Sequence, residues 1–93
     1  MKPPTHYEEL TPKERRIVRE EYSRLQEFKC AHCGNPLDSQ PSDEILSKPI
    51  NRSLFPPNFF NWPVHLHHCH VTGMTIGAVH CRCNAVLWQY HGK

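Results

Sequence analysis

Apolar positions along the chain fall into three regimes, and each predicts a different kind of structure. Ile17, Val18, Tyr22, Leu25 and Phe28 recur at helical spacing among charged residues, which makes one stripe of an amphipathic helix. Thr11-Pro12-Lys13-Glu14 marks its start: Thr at the cap, Pro where its missing N–H costs nothing, and Glu placed to close a capping box. A helix from about Pro12 to Phe28 is expected. From Asp38 to Pro63 no period survives, because prolines stand at 41, 49, 56, 57 and 63. A helical turn at Asp43 to Lys48 and an aromatic run, Leu54 to Trp62, that covers a small core are the expectations there. From Val64 the pattern is that of a hairpin: a strand to about Cys69, a turn around Thr72-Gly73, and a strand from Thr75 to Val79. A helix over Asn84 to Tyr90 follows, with Gly92 as its stop and Asn84, Trp88 and His91 near one another on one face. Met1 to Leu10 has two prolines and no period, so it reads as an extended or partly ordered leader without assigned function.

The result is a small α+β fold in one domain, residues 1–93: leader 1–10, helix 11–28, knuckle 29–37, irregular connection 38–63 and a strand–strand–helix unit over 64–92. A chain of 93 residues with 38% hydrophobic content buries too little apolar surface to be comfortably stable without a staple. Five cysteines and eight histidines make a metal the expected staple, and the odd cysteine count argues against a closed disulfide framework. No signal peptide or long apolar run is present, so a soluble, reducing, cytoplasmic setting without membrane association is expected. The net charge of +2 is compatible with a polyanionic partner and too small to demand one. Arg15, Arg16, Arg19 and Arg24 among glutamates read chiefly as a solvated helix face.

Two metal sites are expected. Cys30 and Cys33, two residues apart and followed by Gly34, form a knuckle whose thiolates can converge on one zinc. A second pair must come from His80, Cys81 and Cys83. His80 and Cys83 have the converging spacing and are favoured, with Cys81 as the alternative third ligand. Four protein ligands close the coordination sphere, so this zinc would hold the fold and do no chemistry. The second site rests on His67-His68 before the turn and Asn84 entering the helix. A neutral imidazole is a base suited to this pH, and an imidazole with an amide oxygen can hold a divalent ion while leaving positions for water and phosphate. Neighbouring strand residues face opposite sides, so the strand must end or bulge at His67-His68 for both to serve one site. His65 and His70 flank the pair as candidate phosphate contacts or supports, as does His91 from the helix; Cys69 reads as a core residue and His32 as pointing outward.

These residues resemble the His-Me finger nucleases, also called HNH or ββα-metal nucleases, and most of all the phage recombination endonuclease VII branch. The resemblance runs over Lys29 to Gly34 and Val64 to Leu87. Its motifs are met by Cys30 and Cys33, His67-His68-Cys69-His70, Thr72-Gly73, Gly77 and His80-Cys81-Arg82-Cys83-Asn84. It implies a zinc-stapled ββα-metal fold and a metal-dependent DNA endonuclease or nickase. His68 would be the general base, His67 and Asn84 would hold the catalytic ion, and Cys30, Cys33, His80 and Cys83 would hold zinc. Two positions depart from the branch: His67 stands where it has an aspartate and His80 where it has a cysteine. Loss of the carboxylate tilts the expected preference from Mg²⁺ toward Mn²⁺, Ni²⁺ or Zn²⁺. The branch's long helical dimerisation region has no counterpart downstream, so resolution of four-way junctions is not inferred. The competing expectation is a non-catalytic zinc module that binds nucleic acid or protein. A redox role for Cys30 and Cys33 lacks its βαβ setting.

Overall fold

The computed structural model describes residues 3–93 and contains three helices and one two-stranded antiparallel sheet. Helix α1, Pro12–Leu25, starts as its sequence dictates: the Thr11 hydroxyl accepts from the Glu14 N–H at 3.2 Å and Glu14 accepts from the Thr11 N–H at 2.9 Å. It stops three residues before the expected Phe28. Glu27 and Phe28 take φ of 55° and 62°, and the Phe28 N–H reaches back to the Ser23 carbonyl. Such left-handed non-glycine residues cost roughly 1–2 kcal/mol each, so tertiary structure imposes the turn. It brings Lys29 into a bridge with Pro36 and delivers Cys30 to the knuckle. The apolar stripe is correspondingly narrow: Val18 is fully buried and Tyr22 half-buried, while Ile17, Leu25 and Phe28 are exposed, contrary to expectation. Only one side of α1 meets the hairpin.

The hairpin pairs β1, Val64–His68, with β2, Thr75–His80. A two-stranded ribbon is marginal alone, and this one is held along its second edge. The Gln26 amide accepts from the Ala78 N–H and donates to the Ala78 carbonyl, both at 2.9 Å, in place of a third strand. Gly77 makes that approach possible, because a Cβ there would lie 2.9 Å from the Gln26 side-chain oxygen and 3.1 Å from the Ala31 methyl.

The segment before α1 is more ordered than a leader. Thr5 exchanges backbone and side-chain hydrogen bonds with Thr75, His6 bridges to Met74, and the Tyr7 N–H donates to the Gly73 carbonyl at 2.8 Å. Leu10 is buried against Val18 and Leu66. Met1 and Lys2, the start of the expected leader, lie outside the described residues.

The long connection contains α2, Asp43–Leu46, and two single 3-10 turns, Arg52–Leu54 and Phe59–Asn61. It is pinned from one side by α3, Cys81–His91, whose Arg82 donates to the carbonyls of Ile45, Leu46 and Lys48 at the end of α2. Gln89 and Tyr90 both donate to the Pro49 carbonyl. Helix α3 begins three residues before the expected Asn84 and closes at Gly92, where φ is 68°. The larger core cluster joins Leu37, Ile45, Ala78, Val79 and Val86 to Cys30 and Cys83; the aromatic run is not part of it, which corrects the expectation that it covers the core. Phe55, Phe59 and Phe60 pack instead on one another, with centroids 4.7 to 5.6 Å apart, and Trp62 is 67% exposed.

Candidate metal centre and histidine-lined cleft

The knuckle and the entry to α3 meet inside the core. The ligand atoms of Cys30, Cys33, His80 and Cys83 all lie within 4.8 Å of one another, close enough to hold a metal such as zinc. Each element contributes for a local reason. Gly34, at φ +82°, lets the knuckle turn back directly after Cys33. His80 is the N-cap of α3 and makes no side-chain capping bond, so its ring is left to the cluster. The next ligand, Cys83, is one helical turn on.

The tautomer of His80 follows from its surroundings. Its Nε2 lies 2.9 Å from the Pro36 carbonyl oxygen, which only accepts, so the proton sits on Nε2. The bare Nδ1 then faces Cys33 Sγ at 3.4 Å and Cys83 Sγ at 3.7 Å, and this is the second-sphere arrangement that orients a metal-bound imidazole. Backbone N–H groups of His32 and His80 donate to Cys30 Sγ, each at 3.4 Å. A hydrogen bond from Cys83, with those amides, holds the Cys30 thiol down to about 4, and the same bond pushes Cys83 up. Cys81 lies outside the cluster: its sulfur approaches the Phe59 carbonyl at 3.5 Å and burial raises its pKa to about 11. His80 therefore stands in the set and Cys81 does not; His32 is exposed, as expected.

On the other face of the hairpin a cleft of about 560 Å³ opens between α1, β1, the aromatic run and α3. His67, His68 and Asn84 all line it. The hairpin is irregular at this point: register shifts between His67, opposite Gly77, and His68, opposite Thr75, so the extra residue, Ile76, lies on β2, and β1 ends at His68. Bulges re-aim side chains and increase local twist, so two neighbouring imidazoles can address one space. His67 is buried, with the Asn84 side chain beside it. Asn84 Nδ2 donates to His65 Nδ1 at 3.1 Å. Burial is the main reason that the pKa values of His65, His67 and His68 fall below the ordinary histidine value; for His68 the nearby His70 and His67 add to it.

His65 and His70 also line this cleft, whereas His91 does not and is exposed at the end of α3. At 100° per residue it stays on the face of Asn84 and Trp88, as expected, but seven residues carry it about 10 Å further along the axis, past the cleft. The arginines of α1 divide: Arg16 and Arg24 pair with Glu20 and Glu21 on the outer face, while Arg15 and Arg19 line the cleft. Their i, i+4 spacing was the signal for that shared face. Phe55, Phe59 and Trp62 form the opposite wall, with Phe59 edge-on to His65 at 4.6 Å. Tyr7 also lines the cleft, and no sequence period pointed to it. Three histidines of β1, Asn84, two arginines and an aromatic wall thus share one opening. No family model, curated protein or solved structure matches the chain. Among the described residues no helix is long and apolar enough to cross a membrane.

Proposed function

We propose that this protein is a metal-dependent DNA endonuclease of the His-Me finger type, with a ββα-metal core stapled by zinc. The observation that carries the proposal is the convergence of His67, His68 and Asn84 on one cleft through the bulge in the hairpin. In this reading His68 takes the proton from water, while His67 and the Asn84 oxygen hold one divalent ion that stabilises charge on the phosphorane and the leaving oxygen. Arg15 and Arg19 bind the flanking phosphates. Zinc on Cys30, Cys33, His80 and Cys83 fixes the start of α3 and so places Asn84, the residue directly after Cys83. With no carboxylate in the ion's shell, Mn²⁺ or Ni²⁺ should support cleavage at least as well as Mg²⁺.

His68→Ala tests the proposal. Loss of a general base costs on the order of a hundredfold or more in rate, and the variant should keep its zinc, its melting temperature and its affinity for DNA. Undiminished metal-stimulated cleavage by His68→Ala would remove His68 as the base. DNA binding without cleavage by either protein would favour a non-catalytic zinc module.

A further inference from the structure

The segment before α1 supplies one more side chain to the cleft. The Tyr7 ring lies flat on the His68 imidazole, with centroids 3.9 Å apart and planes 8° from parallel. On Tyr7's ring sits the Arg15 guanidinium, its carbon 4.0 Å from the centroid, and Arg15 Nε donates to the Tyr7 carbonyl at 3.3 Å. His70 lies against His68 in turn, at 4.7 Å and 53°, and Trp88 against His70 at 4.9 Å. Tyr7 is itself anchored at both ends: its N–H donates to the Gly73 carbonyl in the hairpin turn, and Arg15 ties its carbonyl to α1. The ring is therefore fixed by the hairpin and the helix together, and it covers one face of an imidazole that sits at the end of a strand beside a bulge.

We propose that Tyr7, backed by Arg15, is a positioning residue that holds the His68 imidazole in the one ring plane from which its nitrogen addresses the cleft. The inference rests on the nuclease reading of His68. A base must meet its proton within hydrogen-bond reach, and its rotation about the side-chain bonds carries the nitrogen out of line. A displacement of about 1 Å costs on the order of a hundredfold in rate. Stacking on an anchored ring removes that freedom without occupying either nitrogen, which a hydrogen-bonding partner would do.

The test uses the full-length, zinc-loaded protein and two variants. Tyr7→Phe keeps the flat ring; Tyr7→Leu keeps apolar bulk against Leu10, Val18 and Leu66 and removes it. Two readouts are taken. In NMR spectra the carbon-bound protons of the His68 ring should be shifted upfield by the stacked ring in wild type and Tyr7→Phe, and return toward ordinary histidine positions in Tyr7→Leu. In Mn²⁺-dependent cleavage of plasmid, Tyr7→Leu should lose roughly tenfold to a hundredfold in kcat with KM nearly unchanged, and Tyr7→Phe should restore the rate. A residue that only packs would lower the melting temperature without that split between Leu and Phe. Unchanged kcat in a folded Tyr7→Leu protein, or ring protons indifferent to the substitution, overturns the proposal while leaving the nuclease reading in place. Absence of cleavage by wild type overturns both, because Tyr7 would then have no base to position.

Discussion

At His80 the two ring nitrogens have separate duties: Nε2 is spent on the Pro36 carbonyl, and Nδ1 is left facing two sulfurs. Cys81, next in sequence, is a buried thiol held high by its apolar setting and turned to the Phe59 carbonyl. The assignment predicts different zinc contents for two neighbouring substitutions. Cys81→Ala should retain one zinc per chain by elemental analysis, whereas Cys83→Ala should lose it; equal loss from both would return Cys81 to the ligand set. The histidines of the cleft set the pH response. Burial first, and then the charges of His70 and His67, depress the pKa of His68, so it stays neutral and able to accept a proton below pH 6.5, its ordinary value. As pH falls through the depressed value it becomes charged and the base is lost. If His68 is the base, the acid limb of kcat/KM should therefore have its midpoint below 6.5, and a midpoint at or above that value would contradict the burial of His68. Much of this site was legible at the level of residue types: the two-residue spacing singled out the four side chains that cluster, and adjacent histidines marked the cleft. Tyr7 was not legible, since its partner His68 is 61 positions away and no period connects them.

Elements were legible where local chemistry decides them and misplaced where tertiary contacts do. The capping box fixed the start of α1 to the residue, because Thr11 and Glu14 satisfy each other's N–H groups without help from the rest of the chain. Its end was set by the knuckle, which forces Glu27 and Phe28 into left-handed geometry that no propensity would choose. The hairpin was predicted with nearly correct limits, and its register shifts between His67 and His68. Its support by Gln26 could not be read from sequence, although Gly77 was a signal of close approach. A direct consequence is that Gly77→Val should be destabilising by about 1–3 kcal/mol, since its side chain must displace either Gln26 or Ala31. Denaturant unfolding with zinc present measures this; a stability within 0.5 kcal/mol of wild type would mean that Gln26 is not the edge partner. The aromatic run was misread as core cover because hydrophobicity alone does not say which side of a sheet a loop lines. The prolines at 56, 57 and 63 leave it irregular, and it closes over His65.

The described residues measure 35 × 27 × 21 Å, and their larger core cluster contains two of the four side chains that could hold a metal, Cys30 and Cys83. Without a cation that core holds clustered thiols in place of apolar contacts. Structural zinc in such folds supplies on the order of 10 kcal/mol, comparable with the 5–15 kcal/mol by which whole domains are stable. Strong chelation should therefore abolish the cooperative thermal transition, as followed by near-ultraviolet circular dichroism; a native spectrum in metal-free protein would disprove the staple. In the proposed reading a zinc there would link fold to chemistry, because it would anchor the turn from which α3 carries Asn84 toward the histidines of β1. Stripping the zinc and removing only the proposed catalytic ion should then differ, the first unfolding the domain and the second only silencing it. The central claim, that the cleft beside this staple hydrolyses phosphodiesters, is tested most directly by incubating zinc-loaded protein with supercoiled plasmid in Mg²⁺, Mn²⁺, Ni²⁺ or EDTA. Conversion to nicked or linear DNA with a divalent ion, and none in EDTA, is the predicted result. Plasmid left supercoiled under every ion by folded, zinc-replete protein would contradict it.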